Sequence, residues 1–211
     1  MSARAKTREK LILAAEELVA RVGPGGASAR EIARNAGFKN NVCVQYHFNS
    51  IENLFDQVVH YRMKMLEDVR RATLEEIGID AFESLSIAQL WEIVCFPQLV
   101  MKGSDGGYQY AVFLCNYLPV HRPEGLAWTM RTSSTDLPVL NQVLNRIRLM
   151  LTDIPLDIFD RRVTSANLLF LNTCRGLKTT DQENEVSLRQ NPIVRDALRQ
   201  SVAALSARWV N

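Results

Sequence analysis

The sequence predicts an all-α protein, with a small unit of short helices at the N-terminus followed by a larger helical body. Apolar residues recur every three or four positions along most of the chain, which is the period of helices with one buried face. Glycine, proline and polar clusters interrupt this pattern, as they do between helices. The sequence contains no alternating apolar and polar run of strand length. Nearly half of the 211 residues are apolar, so the chain can bury a sizeable core.

Two helices are predicted before residue 36. The first begins near Thr7 and ends at the run Gly23-Pro24-Gly25-Gly26. Its apolar face is formed by Leu11, Ala14, Ala15, Leu18, Val19 and Val22. The second is short and begins at Ser28, because Ser28 and Glu31 have the spacing of a capping box, in which each side chain accepts a hydrogen bond from the other residue's amide.

A tight turn and a third helix follow. Gly37 provides the backbone freedom for the turn, and Phe38 can fill the core between two crossing helices. The third helix is expected from about Asn41 to Phe48. Its inward side chains are predicted to be Val44 and Phe48, supported by either Val42 or Cys43.

A long fourth helix is predicted from the Asn49-Ser50 cap to about Ile77. Its apolar stripe is expected to consist of Leu54, Val58, Tyr61, Met65 and Val69. Five further helical segments are predicted near residues 85–102, 107–118, 137–151, 155–176 and 192–209. We therefore divide the chain into a three-helix head, residues 1–53, and a helical-bundle body, residues 54–211.

Several classes of function lack support in the sequence. The four cysteines form no CxxC pair, and the three histidines form no metal-binding motif, so we predict neither a metal site nor a cofactor. No arrangement of nucleophile and base or of paired acids suggests catalytic residues, and we predict that the protein is not an enzyme. Because the sequence has neither an apolar stretch of eighteen residues nor a signal-peptide pattern, we expect a cytoplasmic protein without membrane contact.

The head has the charge and polarity of a nucleic-acid-binding unit. Residues 1–53 contain eight Lys and Arg against five acids, whereas the remainder contains 17 against 18. Two short helices with a glycine turn form the arrangement that places a helix in the major groove of double-stranded DNA. The polar residues expected to face outward there are Lys39, Asn40, Asn41, Gln45, Tyr46 and His47.

Three runs of residues have a characteristic spacing over residues 7–62. They are Thr7-Arg8-Glu9-Lys10, then Ser28-x-x-Glu31-Ile32-Ala33-x-x-Ala36-Gly37, then Val44-Gln45-Tyr46-His47-Phe48-x-Ser50-x-Glu52-x-Leu54. This combination resembles the signature of the TetR family of transcriptional regulators. The stretch Asn40-Asn41-x-x-Val44-Gln45-Tyr46-His47-Phe48 is similar to a subgroup with one extra residue before the recognition helix.

The resemblance implies a homodimer that binds a pseudo-palindromic operator in successive major grooves. It implies a phosphate contact for Ser28 and DNA contacts for Asn41, Gln45, Tyr46 and His47. Two positions depart from the family pattern. Gln45 replaces a phosphate-contacting tyrosine, which favours a base contact instead, and Ile51 replaces a basic residue, which predicts weaker or less salt-dependent binding.

Some of these residues have structural alternatives. Asn40 or Asn41 can cap the third helix instead of contacting DNA. Tyr46 can pack on the core of the head with its hydroxyl outward. Arg4 and Lys6 are interpreted as a disordered tail rather than as an arm that enters the minor groove.

The body is expected to contain a buried central helix over residues 90–100, kinked at Pro97. The resemblance places a small-molecule effector pocket among the neighbouring helices, and the candidate lining residues are Trp91, Val94, Tyr110, Phe113 and Tyr117. The alternative is that these side chains form an ordinary core. The last two long helices have broad apolar faces, which predicts a homodimer through them. The expected function is a repressor released from its operator by a largely apolar ligand; the alternative is a constitutive DNA-binding or architectural factor without a pocket.

Overall fold

The computed structural model describes residues 2–101, 107–123, 137–177 and 185–210, and this part of the chain contains only helices and loops. The all-α prediction is therefore confirmed. The helices are α1 (Ala3–Val22), α2 (Ala29–Asn35), α3 (Val42–Phe48), α4 (Ile51–Ile77), α5 (Ile79–Phe82), α6 (Ile87–Cys95), α7 (Gln109–His121), α8 (Pro138–Met150), α9 (Leu156–Cys174), α10 (Glu185–Gln190) and α11 (Pro192–Ser206). Short 3₁₀ helices cover Pro24–Gly26 and Phe96–Leu99.

Local hydrogen bonds define the short α2. The Ser28 hydroxyl accepts from the Glu31 amide at 3.2 Å, as predicted, but it also donates to the Glu31 carboxylate at 2.9 Å. Of the predicted capping box, the structure has the bond from the Glu31 amide to the Ser28 hydroxyl. The Glu31 carboxylate accepts from the Ser28 hydroxyl. At the other end, Gly37 has a φ of +84°, and the Phe38 amide donates to the Ala33 carbonyl at 2.8 Å. This Schellman motif turns the chain from α2 toward α3.

The core of the head is built as the apolar spacing predicts. Ile32 of α2, Val44 and Phe48 of α3, and Leu54 of α4 are all buried in one cluster with the apolar face of α1. Cys43 packs against this cluster, whereas Val42 is 59% exposed. Cys43 is therefore the supporting residue of the two that we considered.

Helix α4 belongs to both parts of the chain, because it begins beside α3 and continues into the body. The predicted boundary between residues 53 and 54 falls inside it. Its predicted stripe holds for Leu54 and Val58, which are buried, but is wrong for Met65, which is 42% exposed. The face buried in the body is instead formed by Val59, Met63, Leu66, Glu67 and Arg70. Two charged residues lie on this face, so an apolar pattern does not reveal it.

The body surrounds the buried α6, which packs against α8 and α11. Leu90, Trp91 and Ile93 of α6 are buried, as the almost entirely apolar sequence predicts. The helix ends at Cys95 and continues as the 3₁₀ turn Phe96–Leu99, because Pro97 has no amide hydrogen to extend the α-helical ladder. No helix in the described part of the chain is long and apolar enough to cross a membrane.

The last two long helices, α9 and α11, pack along each other within one chain. Most of the apolar residues that predicted a dimer surface are buried there, namely Phe159, Val163, Ala166, Phe170, Val194, Leu198 and Leu205. The inference from unpartnered apolar faces is therefore wrong for these residues, because the two faces cover each other and α6. Leu169 of α9 and Val202 of α11 stay partly exposed.

Candidate functional site

One side of the head presents the polar residues that the sequence predicts for DNA contact. Lys39, Asn40, Asn41 and Gln45 are exposed, and Tyr46 is 68% exposed. Ser28 is exposed at the start of α2. Tyr46 is thus largely exposed to solvent and does not pack on the core of the head.

The two asparagines before α3 have different roles in the fold. The Asn40 side chain accepts a hydrogen bond from the Val42 amide at 2.9 Å and so fixes the start of α3. Asn41 makes no side-chain cap bond and is exposed one turn before Gln45. Asn40 is therefore the capping residue, and the Asn41 amide is available to a partner.

Val42 lies on the exposed side of α3, one turn before Tyr46. It is 59% exposed, so its methyl groups are accessible to a partner. A methyl group beside exposed polar side chains is of the kind that can contact the thymine methyl in a major groove. Sequence reasoning missed this residue because it treated each apolar position as a candidate for the core.

His47 lies at the edge of the exposed side and is partly buried. Its Nδ1 atom is buried without a hydrogen-bond partner, and the ring packs edge-on against Tyr46 with 4.9 Å between the ring centres. Burial lowers the pKa of His47, and the positive charges of Arg4 and Arg8 lower it further. The imidazole is therefore neutral at physiological pH.

Two arginines of α1 support the exposed side of α3. The Arg8 guanidinium donates to the His47 carbonyl, donates to the Gln57 side chain at 3.1 Å and lies over the Phe48 ring. The Arg4 guanidinium is 5.8 Å from the centre of the Tyr46 ring. Arg4 and Lys6 both belong to α1, so the interpretation of this segment as a disordered tail is wrong. Arg8 is a positioning residue that sequence reasoning missed, since its partners are about forty residues away.

Polar side chains join α1 to α4 below the core of the head. Arg62 forms a two-point ion pair with the buried Glu16, at 2.6 Å from Nε and 2.8 Å from Nη2. The Tyr61 hydroxyl donates to Glu9 at 2.7 Å. These bonds hold α4 at a fixed angle to α1. Because α4 continues into the body, they also fix the orientation of the head relative to the body.

Helix α7 contacts α1 of the head and also α4, the helix that joins the head to the body. The Asn116 amide donates to the Val19 and Ala20 carbonyls at 3.1 and 3.2 Å, at the end of α1. The Tyr117 hydroxyl donates to Asp56 of α4 at 2.6 Å, and Arg122 donates to the same carboxylate. A displacement of α7 must therefore move or break contacts with the head.

The rings of α7 form a continuous stack from the body toward Asp56. The ring centres of Tyr110 and Phe113 are 6.3 Å apart, and those of Phe113 and Tyr117 are 5.3 Å apart, with both pairs close to parallel. His121 continues the stack at 4.9 Å from Tyr117. The four rings thus lie along one side of α7, from Tyr110 to His121.

A small cavity lies in the body at the inner end of this stack. Its volume is about 40 Å³, room for a few water molecules, whereas sites for drug-sized ligands measure about 300–1,000 Å³. Of the predicted pocket residues, Val94 and Tyr110 line it. Trp91, Phe113 and Tyr117 are buried elsewhere in the core, and the Trp91 indole donates to Ser201 of α11 at 2.9 Å.

The cavity has an apolar wall and a polar wall. The apolar side chains are Met63, Leu66, Leu114, Leu140, Leu144 and Val163. The polar side chains are Arg70, Gln98, Thr164 and Asn167. Gln98 and Asn167 hydrogen-bond each other at 2.7 Å, and Arg70 faces them from α4.

Two other features bear on possible sites. An open groove of about 650 Å³ lies on the surface between α5 and α8, lined by Glu83, Gln142, Arg146 and their neighbours, and it contains none of the predicted site residues. Within the described ranges, no group of three or more His, Cys, Asp and Glu side chains is placed to hold a metal ion.

Comparison with solved structures identifies the architecture. A structure from Vibrio parahaemolyticus, described as a TetR-family transcriptional regulator, matches 94% of this chain and 97% of its own length with a TM-score of 0.51 and 16% identity. The fold is that of a TetR-type regulator. A weaker likeness, with a TM-score of 0.45 and 14% identity, is to a TetR-family regulator structure from Mesorhizobium loti, over 96% of this chain and 98% of the other. No family model and no curated protein matches the sequence. At 16% identity, the likeness to the Vibrio parahaemolyticus structure shows a shared fold.

Proposed function

We propose that this protein is a sequence-specific DNA-binding transcriptional regulator of the TetR type. The observation that carries the proposal is the exposed polar side of α3, held on a helix-turn-helix whose neighbouring arginines lie on the same side of the head. α3 enters the major groove, where Gln45 and Asn41 pair with base edges and Val42 contacts a thymine methyl. Lys39, Tyr46 and Ser28 contact phosphates and set the register.

DNA binding of this kind requires two heads at a fixed spacing, because one seven-residue helix reads only a few base pairs. We infer a homodimer formed through the outer sides of α9 and α11, where Leu169 and Val202 stay partly exposed. Leu169→Arg should convert the dimer to a monomer in light-scattering measurements. Leu149→Arg is the matched control, since Leu149 is 67% exposed on α8. A dimer that persists with Leu169→Arg contradicts this interface.

An effector response is the second part of the proposal. A ligand that enlarges the cavity beside Tyr110 moves the ring stack of α7, and α7 is bonded to α1 through Asn116 and to α4 through Tyr117. The shift changes the spacing of the two heads and lowers operator affinity, which makes the protein a ligand-released repressor.

A second candidate function is constitutive DNA binding without an effector. The cavity volume of about 40 Å³ favours this candidate, since a nearly filled body has little room for a ligand. Methyl NMR of Met63, which lines the cavity, separates the two candidates with a panel of small organic probes. A sensor predicts a probe that shifts Met63 and weakens DNA binding. A constitutive factor predicts that no probe does both.

The DNA-binding proposal is tested with the full-length protein and fluorescently labelled duplexes. The expected result is that one duplex from the promoter region of its own gene binds about a thousandfold more tightly than a scrambled duplex, at about 0.15 M salt. Equal affinity for both duplexes would overturn the proposal. Because no effector is added, this result does not depend on the sensor hypothesis.

A further inference from the structure

Arg70 is buried in the body, and most of its hydrogen-bond donors are unpaired. Its side chain is 3% exposed and lines the cavity. Neither Nε nor Nη1 has a hydrogen-bond partner, and Nη2 makes one long bond to the Val94 carbonyl at 3.4 Å. A guanidinium stays charged in proteins even though burial lowers the pKa of Arg70. The cavity is therefore lined by a permanently charged guanidinium, and most of its N–H donors have no hydrogen-bond acceptor.

Glu67, one helical turn away, forms an ion pair with Arg70 but gives it no hydrogen bond. Its nearest oxygen is 3.7 Å from Nη1 of Arg70, which is beyond hydrogen-bond distance. Both carboxylate oxygens are instead directed to the first turn of α8, where they accept from the amides of Val139 and Leu140. Glu67 thus caps a helix whose N-terminus already attracts negative charge.

Gln98 and Asn167, which also line the cavity, accept no hydrogen bond from Arg70 either. Gln98 and Asn167 satisfy each other across the cavity, and the Gln98 amide also donates to the Val94 carbonyl at 3.2 Å. Burial raises the pKa of Tyr110, so its hydroxyl remains protonated and can donate to an acceptor in the cavity. Leaving charged donors unpaired in the interior is costly, and an anion placed beside them removes that cost.

We propose that this cavity is the head-group subsite for a small monocarboxylate with an apolar body, whose carboxylate bonds Arg70 and the Tyr110 hydroxyl. A singly charged carboxylate is favoured over a dianion such as phosphate, because Glu67 already offsets part of the charge of Arg70 and repels further negative charge. The apolar wall of Met63, Leu114 and Leu144 suits a hydrocarbon body. The cavity of about 40 Å³ accommodates the carboxylate, and side chains of this wall must move to admit the rest.

The inference deepens the proposed sensor function and rests on it for its regulatory meaning. Tyr110 is the innermost ring of the stack that ends at Tyr117 and Asp56. A carboxylate bonded to Tyr110 therefore acts on the element that joins the body to the head.

Calorimetric titration of the DNA-free protein with unbranched monocarboxylates from acetate to octanoate tests the proposal. At least one acid should bind saturably and about tenfold or more tightly than the primary alcohol of equal length. Arg70→Gln should reduce the affinity for that acid about tenfold or more. Glu67→Gln removes the neighbouring negative charge, keeps an oxygen for the α8 amides, and should tighten binding.

The proposal is overturned if no acid binds, if acid and alcohol bind equally, or if folded Arg70→Gln retains the affinity of the natural protein. Should Arg70→Gln not fold, the comparison of acid with alcohol in the natural protein decides alone. Promoter binding in the absence of any acid tests the proposed DNA-binding function separately, so failure of one does not imply failure of the other.

Discussion

The guanidinium of Arg8 lies 4.5 Å from the centre of the Phe48 ring. Phe48 is the last residue of α3 and is buried in the core of the head, so this contact fixes one end of the proposed recognition helix to α1. Arg8 also donates to the His47 carbonyl, one of the last carbonyls of α3, which lack partners within a helix of this length. A cation at this end is favoured by the helix dipole as well.

Arg8→Ala is expected to lower the free energy of unfolding by about 1–2 kcal/mol, because it removes a cation–π contact and a charge-assisted hydrogen bond. It should also weaken binding to every DNA sequence, since α3 loses its fixed position. Lys10→Ala is the control, because it removes the same charge from an exposed position of the same helix. Equal effects of both variants on stability, measured by urea unfolding, would contradict the positioning role of Arg8.

Gln45→Ala is expected to cost about 1–3 kcal/mol of DNA affinity at one base pair of the operator and little at the others. Gln45 is exposed on α3, and its amide can donate to and accept from an adenine edge. Tyr46→Phe should instead weaken binding to all DNA sequences by a similar factor if the Tyr46 hydroxyl donates to a phosphate. Anisotropy titrations against a set of single-base operator variants measure both patterns. Unchanged specificity with Gln45→Ala would show that another residue reads that base.

The lowered pKa of His47 predicts a pH dependence of stability. Since the unfolded chain binds the proton more tightly than the folded head does, stability is expected to fall as the pH drops through about 6.5 toward the lower pKa of the folded state. Urea unfolding at about pH 7.5 and about pH 5.5 measures the change. His47→Gln removes this group and should lose less stability over the interval. The same loss in both proteins would place the effect at other residues.

Thiol labelling is expected to report on the DNA complex through Cys43. This residue is partly exposed on α3, whereas Cys95 and Cys174 are buried. Cys115 of α7 is also partly exposed, but burial raises the pKa of its thiol and so slows its reaction. Burial raises the pKa of Cys174 to about 12 and that of Cys95 well above its ordinary value, so neither forms the reactive thiolate near neutral pH. A maleimide should modify Cys43 first, and operator DNA should slow that reaction. Peptide mass mapping identifies the site, and Cys43→Ser is the control. Labelling of Cys43 at the same rate with operator and with scrambled DNA would contradict the proposal that α3 docks on the operator.

The elements that the sequence predicts correctly are those with local causes. Ser28 and Ser50 accept from amides three residues ahead, and Gly37 adopts the positive φ of its turn, all within one turn of helix. Pro97 predicts a kink in the helix over residues 90–100, and the structure has the change from α6 to a 3₁₀ turn at this place. Such features depend on neighbours in the chain and can be read without knowing the fold.

The features that the sequence does not predict depend on contacts between distant residues. Arg8 and His47 are joined only when α3 folds back on α1. Glu67 and Arg70 are charged residues on a buried face, where an apolar pattern assigns them to the surface. The apolar faces of α9 and α11 look unpartnered in sequence because their partner is each other. Of the predicted site, the exposed residues of α3 lie together, while the five candidate pocket residues separate into cavity lining and solid core.

Selection of bound duplexes from a random library tests the central claim most directly. The natural protein and Gln45→Ala are each taken through several rounds, and the enriched pools are sequenced. The expected result is an inverted repeat with half-sites about 10 base pairs apart, centre to centre, bound by the natural protein about a thousandfold more tightly than the starting pool. Gln45→Ala should relax the preference at one symmetric pair of positions. An enriched pool that binds no more tightly than the random library would contradict the assignment of α3 as a DNA-reading helix.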